Sequence, residues 1–282
     1  MIQNSYNNTP SLYLIPTPIG NLDDITYRAV KVLEEVEVIF SEDTRVTLNL
    51  LNNFGIKKKL ISLHEHNEND IKEKVLDYLK LGFSVGLVTD RGTPIISDPG
   101  YKTVKYVSDN NFNVIALPGA TAFVCALIAS GISPQPFLFY GFLNSKDSRK
   151  KEELELLKDV EYTMIFYEAP HRIINTLNMM LDIFGNRKIS ISREITKKFE
   201  TIYRGNLNDI IKNIPEKGEF VIVVSGNDEK EVISDLSIKE SVNLYIKAGF
   251  DVMSSIKKVA RDKKLPKNEI YKEYHKEDKK WN

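Results

Sequence analysis

The chain has 282 residues, with 39 Lys+Arg against 39 Asp+Glu, 42% hydrophobic and 28% charged; this is an ordinary globular composition, long enough for two cores and a small third piece. No apolar run is long enough to cross a bilayer, and the N-terminus carries neither the charged start nor the apolar stretch of a secretory signal. The single cysteine, Cys125, has no internal partner for a disulfide, so a reducing, cytoplasmic compartment is expected.

Strand and helix patterns alternate from the start. Residues 11–17 read as a short apolar strand running into the turn Pro18-Ile19-Gly20-Asn21. Asp23 or Asp24 is the expected cap of a helix with Ile25, Ala29, Val32 and Leu33 on its apolar face. Strands follow over 36–40, 60–64, 84–89 and 113–117, and helices over 44–54, 70–81 and 101–109. Such alternation predicts a mostly parallel sheet covered by helices. A small-residue helix over 120–130 ends at Gly131, and Ser133-Pro134-Gln135-Pro136 marks a junction. A second α/β unit has strands over 137–142, 162–167, 188–194, 199–203 and 220–225, with helices over 148–158 and from Pro170 to Gly185. Residues 227–235 read as a polar linker, and the tail as short helices over 242–248, 254–260 and 267–276. The expected domains are 1–118, 119–228 and 229–282.

The zero net charge conceals segregation. Residues 185–204 hold six basic and two acidic side chains, and residues 256–282 hold ten basic and five acidic. Taken alone, charge runs are usually solvated surface; two of them also suit a polyanion partner.

Several signatures are absent from the sequence. There is no GxGxxG after the first strand, no P-loop, no GxSxG elbow and no zinc-ligand spacing among four histidines and one cysteine. The informative segments are turn-rich loops at strand ends, where open α/β sheets bind ligands. The longest, Asp90 to Gly100, contains two prolines, two glycines and two aspartates between a strand and a helix. That is more chain than a simple connection needs, and it favours a binding loop. The segment Pro118-Gly119-Ala120-Thr121-Ala122 offers small residues that let a ligand approach the backbone. Residues 16–21 and 41–45 end the first two strands, and Arg45 is a candidate phosphate contact. The segment Tyr167-Glu168-Ala169-Pro170-His171-Arg172 sets a carboxylate, an imidazole and a guanidinium at a helix start. Helix capping explains either Glu168 or His171 alone equally well.

Taken together, TPIGNLDDITYRAVKVL (17–33), SEDTR (41–45), LHEHNE (63–68), TDRGTPIISDPGY (89–101), LPGATA (117–122), GFL (141–143), FYEAPHRI (166–173), SREITKKFE (192–200) and RG (204–205) resemble one family. It is the 16S rRNA cytidine 2′-O-methyltransferases of the tetrapyrrole methylase superfamily. The resemblance implies an α/β class III methyltransferase fold, two α/β domains with S-adenosylmethionine in the cleft between them, and a small helical C-terminal extension. It further implies a homodimer, no metal, no membrane, and a substrate cytidine in the decoding region of 16S rRNA within the small ribosomal subunit.

Carried over by position, Asp90, Gly92, Thr93, Pro94, Ser97, Asp98, Pro118, Gly119, Ala120, Ala122 and Tyr167 are the expected cofactor residues. Arg45, His64, Glu65 and Asn67 are expected to contact RNA. Glu168 or His171 is the candidate base, and Lys146 or Arg172 the candidate stabiliser of the developing alkoxide. Two positions depart from the family pattern: Arg91 stands where a small residue is usual, and Asn144 where a proline is usual. A cation at 91 would crowd or repel the sulfonium, or else point outward to RNA phosphate. The competing readings are a tetrapyrrole or diphthamide-pathway methylase, disfavoured by TPIGN in place of a glycine-rich loop, and a non-catalytic RNA-binding protein with a degenerate cleft.

Overall fold

The computed structural model describes residues 2–5, 7–227, 236–247 and 249–276. The expected linker beyond Asn227 lies outside the described residues, as do the expected boundary at 228/229, Ala248 in the expected helix 242–248, and the last six residues of the basic segment 256–282.

The first unit contains β1 (Ser11–Leu14), α1 (Tyr27–Glu35), β2 (Val38–Ser41), α2 (Thr44–Asn53), β3 (Lys59–Ser62), α3 (Glu68–Lys80), β4 (Val85–Val88), α4 (Tyr101–Asp109) and β5 (Asn113–Ala116). Its five strands run in the order β3-β2-β4-β1-β5, and every pair is parallel. All five carboxyl ends therefore lie at one edge. Apolar clusters cover both faces: Ile15, Leu33, Ile39 and Leu51 belong to one, and Leu12, Phe40, Leu79 and Leu87 to the other. Near-continuous apolar strands such as Val85-Gly86-Leu87-Val88, buried throughout, are what a sheet covered on both faces requires.

The second unit holds α5 (Ala122–Ser130), β6 (Phe137–Phe142), α6 (Asp147–Leu157), β7 (Thr163–Glu168), α7 (Ile173–Phe184), β8 (Lys188–Arg193), β9 (Thr201–Asn206), α8 (Leu207–Ile210) and β10 (Phe220–Val224). The strand order is β6-β7-β10-β8-β9; only β6 and β7 pair in parallel, and the other neighbours are antiparallel. Helix α5 packs on this sheet through Ala126 and Leu127, against Ile165, Val221 and Val223. The helices Ile238–Lys247, Val252–Asp262 and Lys267–Tyr274 enclose a separate small core of Val242, Ile256, Val259 and Ile270.

Local chemistry moved some element ends. Asn21, not an aspartate, caps a short 3-10 turn at Leu22–Asp24, accepting from Asp23 N, and Thr26 caps α1 by accepting from Ala29 N at 3.0 Å. Pro170 lies in the turn before α7, which begins at Ile173. Helix α8 carries no sequence signal of its own: four residues are too few to display a helical period.

Candidate functional site

The carboxyl edge of the first sheet faces the second unit across a cavity of about 400 Å³. One wall is the loop after β4. It is pinned to the segment after β1, since Thr17 and Gly92 exchange backbone hydrogen bonds at 2.9 and 3.0 Å. Within this loop Ile95 and Ser97 adopt φ of 77° and 66°, a conformation that costs non-glycine residues energy and is held here by its surroundings. Thr93 Oγ1 lies 2.6 Å from Thr121 Oγ1 and donates to Ala120 O at 3.1 Å, so the loop is fastened to the start of α5. A Cβ on Gly119 would lie 2.5 Å from Pro16 Cβ, and one on Gly92 3.2 Å from Ile19 Cγ2. Both glycines therefore permit the close loop packing that shapes the cavity.

Of the expected cofactor residues, Gly92, Thr93, Ser97, Asp98, Ala122 and Tyr167 line this cavity. Pro94 is buried; Pro118 and Gly119 are exposed and, with Ala120, form the strand–helix connection that leads into Thr121 and Ala122 of the lining. Asp90 lies elsewhere: its Oδ1 accepts from Asp43 N at 3.0 Å, and it borders a second, smaller cavity. The lining also includes Ile19, Ile96, Phe142, Ile195 and Val221. Apolar walls with a few polar groups suit a ligand that carries a flat ring and a polar chain.

Asp98 is the main electrostatic feature. Burial pushes its carboxyl up to about 6, and nearby Glu42 and Asp90 add to the rise while a Thr89 hydrogen bond opposes it. Burial likewise pushes the Tyr167 phenol up to about 12, so this group stays a neutral donor. Arg91 is half exposed, with its side chain at the cleft mouth. It forms an ion pair with Glu219 of the second unit, and Glu219 also accepts from Lys197 Nζ at 2.8 Å. The cation that stood out in the sequence is thus neutralised across the cleft mouth. Glu219 itself gave no signal in the sequence, because its partner is remote along the chain.

The candidate catalytic residues divide into two pairs. The Glu168 carboxylate has no exposed surface; its Oε1 accepts from Ala169 N at 2.8 Å and lies 3.0 Å from Arg172 Nε, and its Oε2 accepts from Thr176 Oγ1 at 2.6 Å. Buried Lys150 donates to the same Thr176 hydroxyl at 3.1 Å. Arg172 Nη2 donates to Leu143 O at 2.7 Å and Asn144 O at 3.1 Å. Glu168 also lines the cavity, and through these contacts Glu168 and Arg172 fasten the loop after β6 to the turn before α7. His171 and Lys146 are exposed on the two segments that Arg172 joins.

The expected RNA residues are spread along the same sheet edge. Arg45 is largely exposed and chelated by Asp43, at 3.0 Å through Nε and 2.6 Å through Nη2, which lowers the Asp43 carboxyl to about 2. Asn67 closes the turn after β3, accepting from His64 N at 2.8 Å and donating to Ser62 O at 3.1 Å, so its amide shapes the loop. Glu65 is exposed and His64 half-buried. Of the basic segment 185–204, Arg187, Arg193 and Arg204 donate to backbone carbonyls of Lys158, Lys217 and Ala129, and Lys197 is held by Glu194 and Glu219. That segment is therefore mostly internal fastening. In the helical appendage, Lys257, Arg261, Lys264, Lys267 and Lys272 are exposed. Among the described residues no group of three His, Cys, Asp or Glu could hold a metal ion, and no helix is long and apolar enough to cross a membrane.

Known proteins share both the sequence and the architecture. Residues 11–211 match the family of tetrapyrrole (corrin/porphyrin) methylases. The ribosomal RNA small subunit methyltransferase I of Bacillus subtilis (strain 168) is 47% identical over 273 residues, covering 94% of each chain. The protein of the same name from Synechocystis sp. is 39% identical, over 92% of this chain and 95% of its own. Among solved structures, the methyltransferase CobJ superposes with a TM-score of 0.57 at 17% identity, over 77% of this chain and 95% of that one. Uroporphyrin-III C-methyltransferase from Thermus thermophilus, complexed with S-adenosyl homocysteine, superposes with a TM-score of 0.54 at 16% identity, over 76% of this chain and 97% of that one. The chain belongs to the tetrapyrrole methylase family, in the group of the ribosomal RNA small subunit methyltransferases I.

Proposed function

We propose that this chain is an S-adenosylmethionine-dependent methyltransferase that methylates the ribose 2′-oxygen of a cytidine in the decoding region of 16S rRNA, with the small ribosomal subunit as substrate. The observation that carries the reading is a family-type cleft of about 400 Å³ between the two sheets, in a chain that follows the rRNA enzymes along almost its whole length. The cleft residues fit the cofactor. Ile19, Ile96 and Val221 offer apolar surface to an adenine ring, while Asp98, Ser97 and Tyr167 offer groups for the ribose and the amino-acid end. Bound there, S-adenosylmethionine supplies an electrophilic methyl group on a cationic sulfonium.

The chain's own contribution is chiefly positional. Holding acceptor and donor in line accounts for much of the rate in such transfers. The Glu168–Arg172 pair fixes the rim of the second unit. His171 is our candidate for taking the proton from the 2′-hydroxyl, and Lys146 our candidate cation for favouring the developing oxyanion. The exposed lysines of the helical appendage suit phosphate contacts outside the cleft. Exposed Tyr27, Ile128 and Phe199 are 98%, 75% and 65% accessible, and they offer apolar surface for the homodimer we expect. A cytoplasmic site of action accords with this substrate.

The test is transfer of a labelled methyl group to small subunits from cells lacking this activity. Incorporation into 16S rRNA is expected; a chain that binds S-adenosylmethionine and labels no RNA would overturn the reading.

A further inference from the structure

A second cavity, of about 240 Å³, lies beside the cleft, between the segment after β1 and helix α2. Its sides include Leu22 and Val46, which are 45% and 40% exposed with nothing covering them. Three of its polar residues are amides, Asn21, Asn49 and Asn53, beside three threonines and the charged Asp90 and Arg91. The Asn49 side chain makes no hydrogen bond among the described residues. Asn53 uses Nδ2 on Asn49 O at 2.9 Å and keeps Oδ1 free, and Asn21 uses Oδ1 on Asp23 N at 3.2 Å and keeps Nδ2 free. Two amide oxygens and two amide nitrogens are thus available around an apolar slot. An amide both donates and accepts, which matches the edge of a heteroaromatic base and is poorly matched to phosphate.

The two cavities are neighbours. Arg91 lines both of them, and Thr17 of the smaller is hydrogen-bonded at 2.9 and 3.0 Å to Gly92 of the larger. The Glu219 pair holds the Arg91 guanidinium at this partition. We infer that the small cavity receives the base of the target pyrimidine nucleotide, so that its ribose lies at the Arg91–Gly92 partition and the 2′-oxygen faces the cleft. This rests on the proposed RNA methylation and adds to it the residues that read the base. Leu22 and Val46 sandwich the ring, and Asn49 and Asn53 contact its hydrogen-bonding edge. Sequence-specific RNA recognition commonly targets unstacked bases, which can be splayed into such a pocket.

The test has two arms, each with a thermal unfolding control; Val46 and Asn49 are exposed, so the variants are expected to fold. In the first, saturation-transfer NMR uses cytidine 5′-monophosphate and, as control, ribose 5-phosphate. The base protons of cytidine monophosphate are expected to saturate with the unaltered chain and not with Val46→Trp, which fills the slot. In the second, Asn49→Ala/Asn53→Ala is expected to lower kcat/KM on undermethylated small subunits about tenfold, through KM, with S-adenosylmethionine affinity unchanged. Equal saturation of base protons in the unaltered chain and Val46→Trp, or unchanged kcat/KM in the double variant, would overturn the base pocket while leaving RNA methylation standing. If the unaltered chain labels no RNA, the proposed function fails, and the first arm alone decides whether the cavity takes a base.

Discussion

Arg91, on the loop after β4, and Glu219, at the foot of β10, form an ion pair across the mouth of the cleft, joining the two units on either side of the expected cofactor. Their side chains are 55% and 60% exposed, so the pair adds little to stability, about 1 kcal/mol or less. Its larger effect is on the potential inside the cleft. Glu219→Ala leaves Arg91 uncompensated beside a cationic ligand. S-Adenosylmethionine should then bind about fivefold more weakly, while S-adenosylhomocysteine, whose sulfur is neutral, hardly changes. Arg91→Ala in the same chain should restore the affinity. Calorimetry with both ligands checks this; an equal weakening for both would mean the pair acts through shape alone.

Asp98 gives the cleft a pH dependence. The folded chain binds this proton more tightly than the unfolded chain, because the carboxyl rises from 3.8 to about 6. Between those values stability falls as the pH rises, by about 1–2 kcal/mol in all after solvent screening, and it stays flat above them. Asp98→Asn should remove this slope in denaturant titrations. Ligand affinity should move the opposite way in the unaltered chain: S-adenosylmethionine binding strengthens as the pH rises through about 6 and the carboxylate forms. A pH-independent affinity would show that Asp98 does not face the cationic end.

We assign Glu168 a positioning role, because its carboxylate is buried and held by Ala169 N, Arg172 and Thr176. Glu168→Ala strands the partly buried Arg172 guanidinium and removes the anion nearest the Lys150–Thr176 bond, at a cost of about 3–5 kcal/mol. Glu168→Gln keeps the shape and should cost less. Glu168→Gln should keep most of kcat in the folded fraction. His171→Ala should leave the melting temperature nearly unchanged and lower kcat strongly. If instead Glu168→Gln abolished turnover while remaining fully folded and His171→Ala did not, the buried carboxylate would have to be the base.

The helical appendage should act through counterion release. Lys257→Gln/Lys264→Gln/Lys267→Gln should weaken binding to small subunits and reduce the slope of log K against log salt by about 0.7–0.9 for each phosphate no longer neutralised. S-Adenosylmethionine affinity should be unaffected. Neutralising Lys188 and Lys198 of the other basic segment should do much less, because the other cations of that segment are occupied within the fold. A larger effect from Lys188 and Lys198 would place the RNA on that face.

Strand and helix order was legible because the periods are local: buried β4 shows as an apolar run, and α1 displays Ala29, Val32 and Leu33 at helical spacing. The loop at 90–100 was legible from its prolines and glycines. What was not legible depends on how side chains meet in the fold. Arg172 and Thr176 lie only four and eight residues beyond Glu168, but their order in the sequence does not announce that they bond its carboxylate, and nothing near Arg204 announces the distant Ala129 carbonyl that it grips at 2.6 Å. Charge counted along the sequence overstated the free positive surface for that reason. The amides of Asn49 and Asn53 drew no attention in an ordinary amphipathic helix, and only the fold places them beside the cleft.

The most direct test is to incubate the chain with S-adenosylmethionine and small subunits lacking this modification, then digest the 16S rRNA and map methylated nucleosides by mass spectrometry. One new 2′-O-methylcytidine within the decoding region is the predicted product. Methylation of a base, of a different region, or of no RNA at all would contradict the proposed activity.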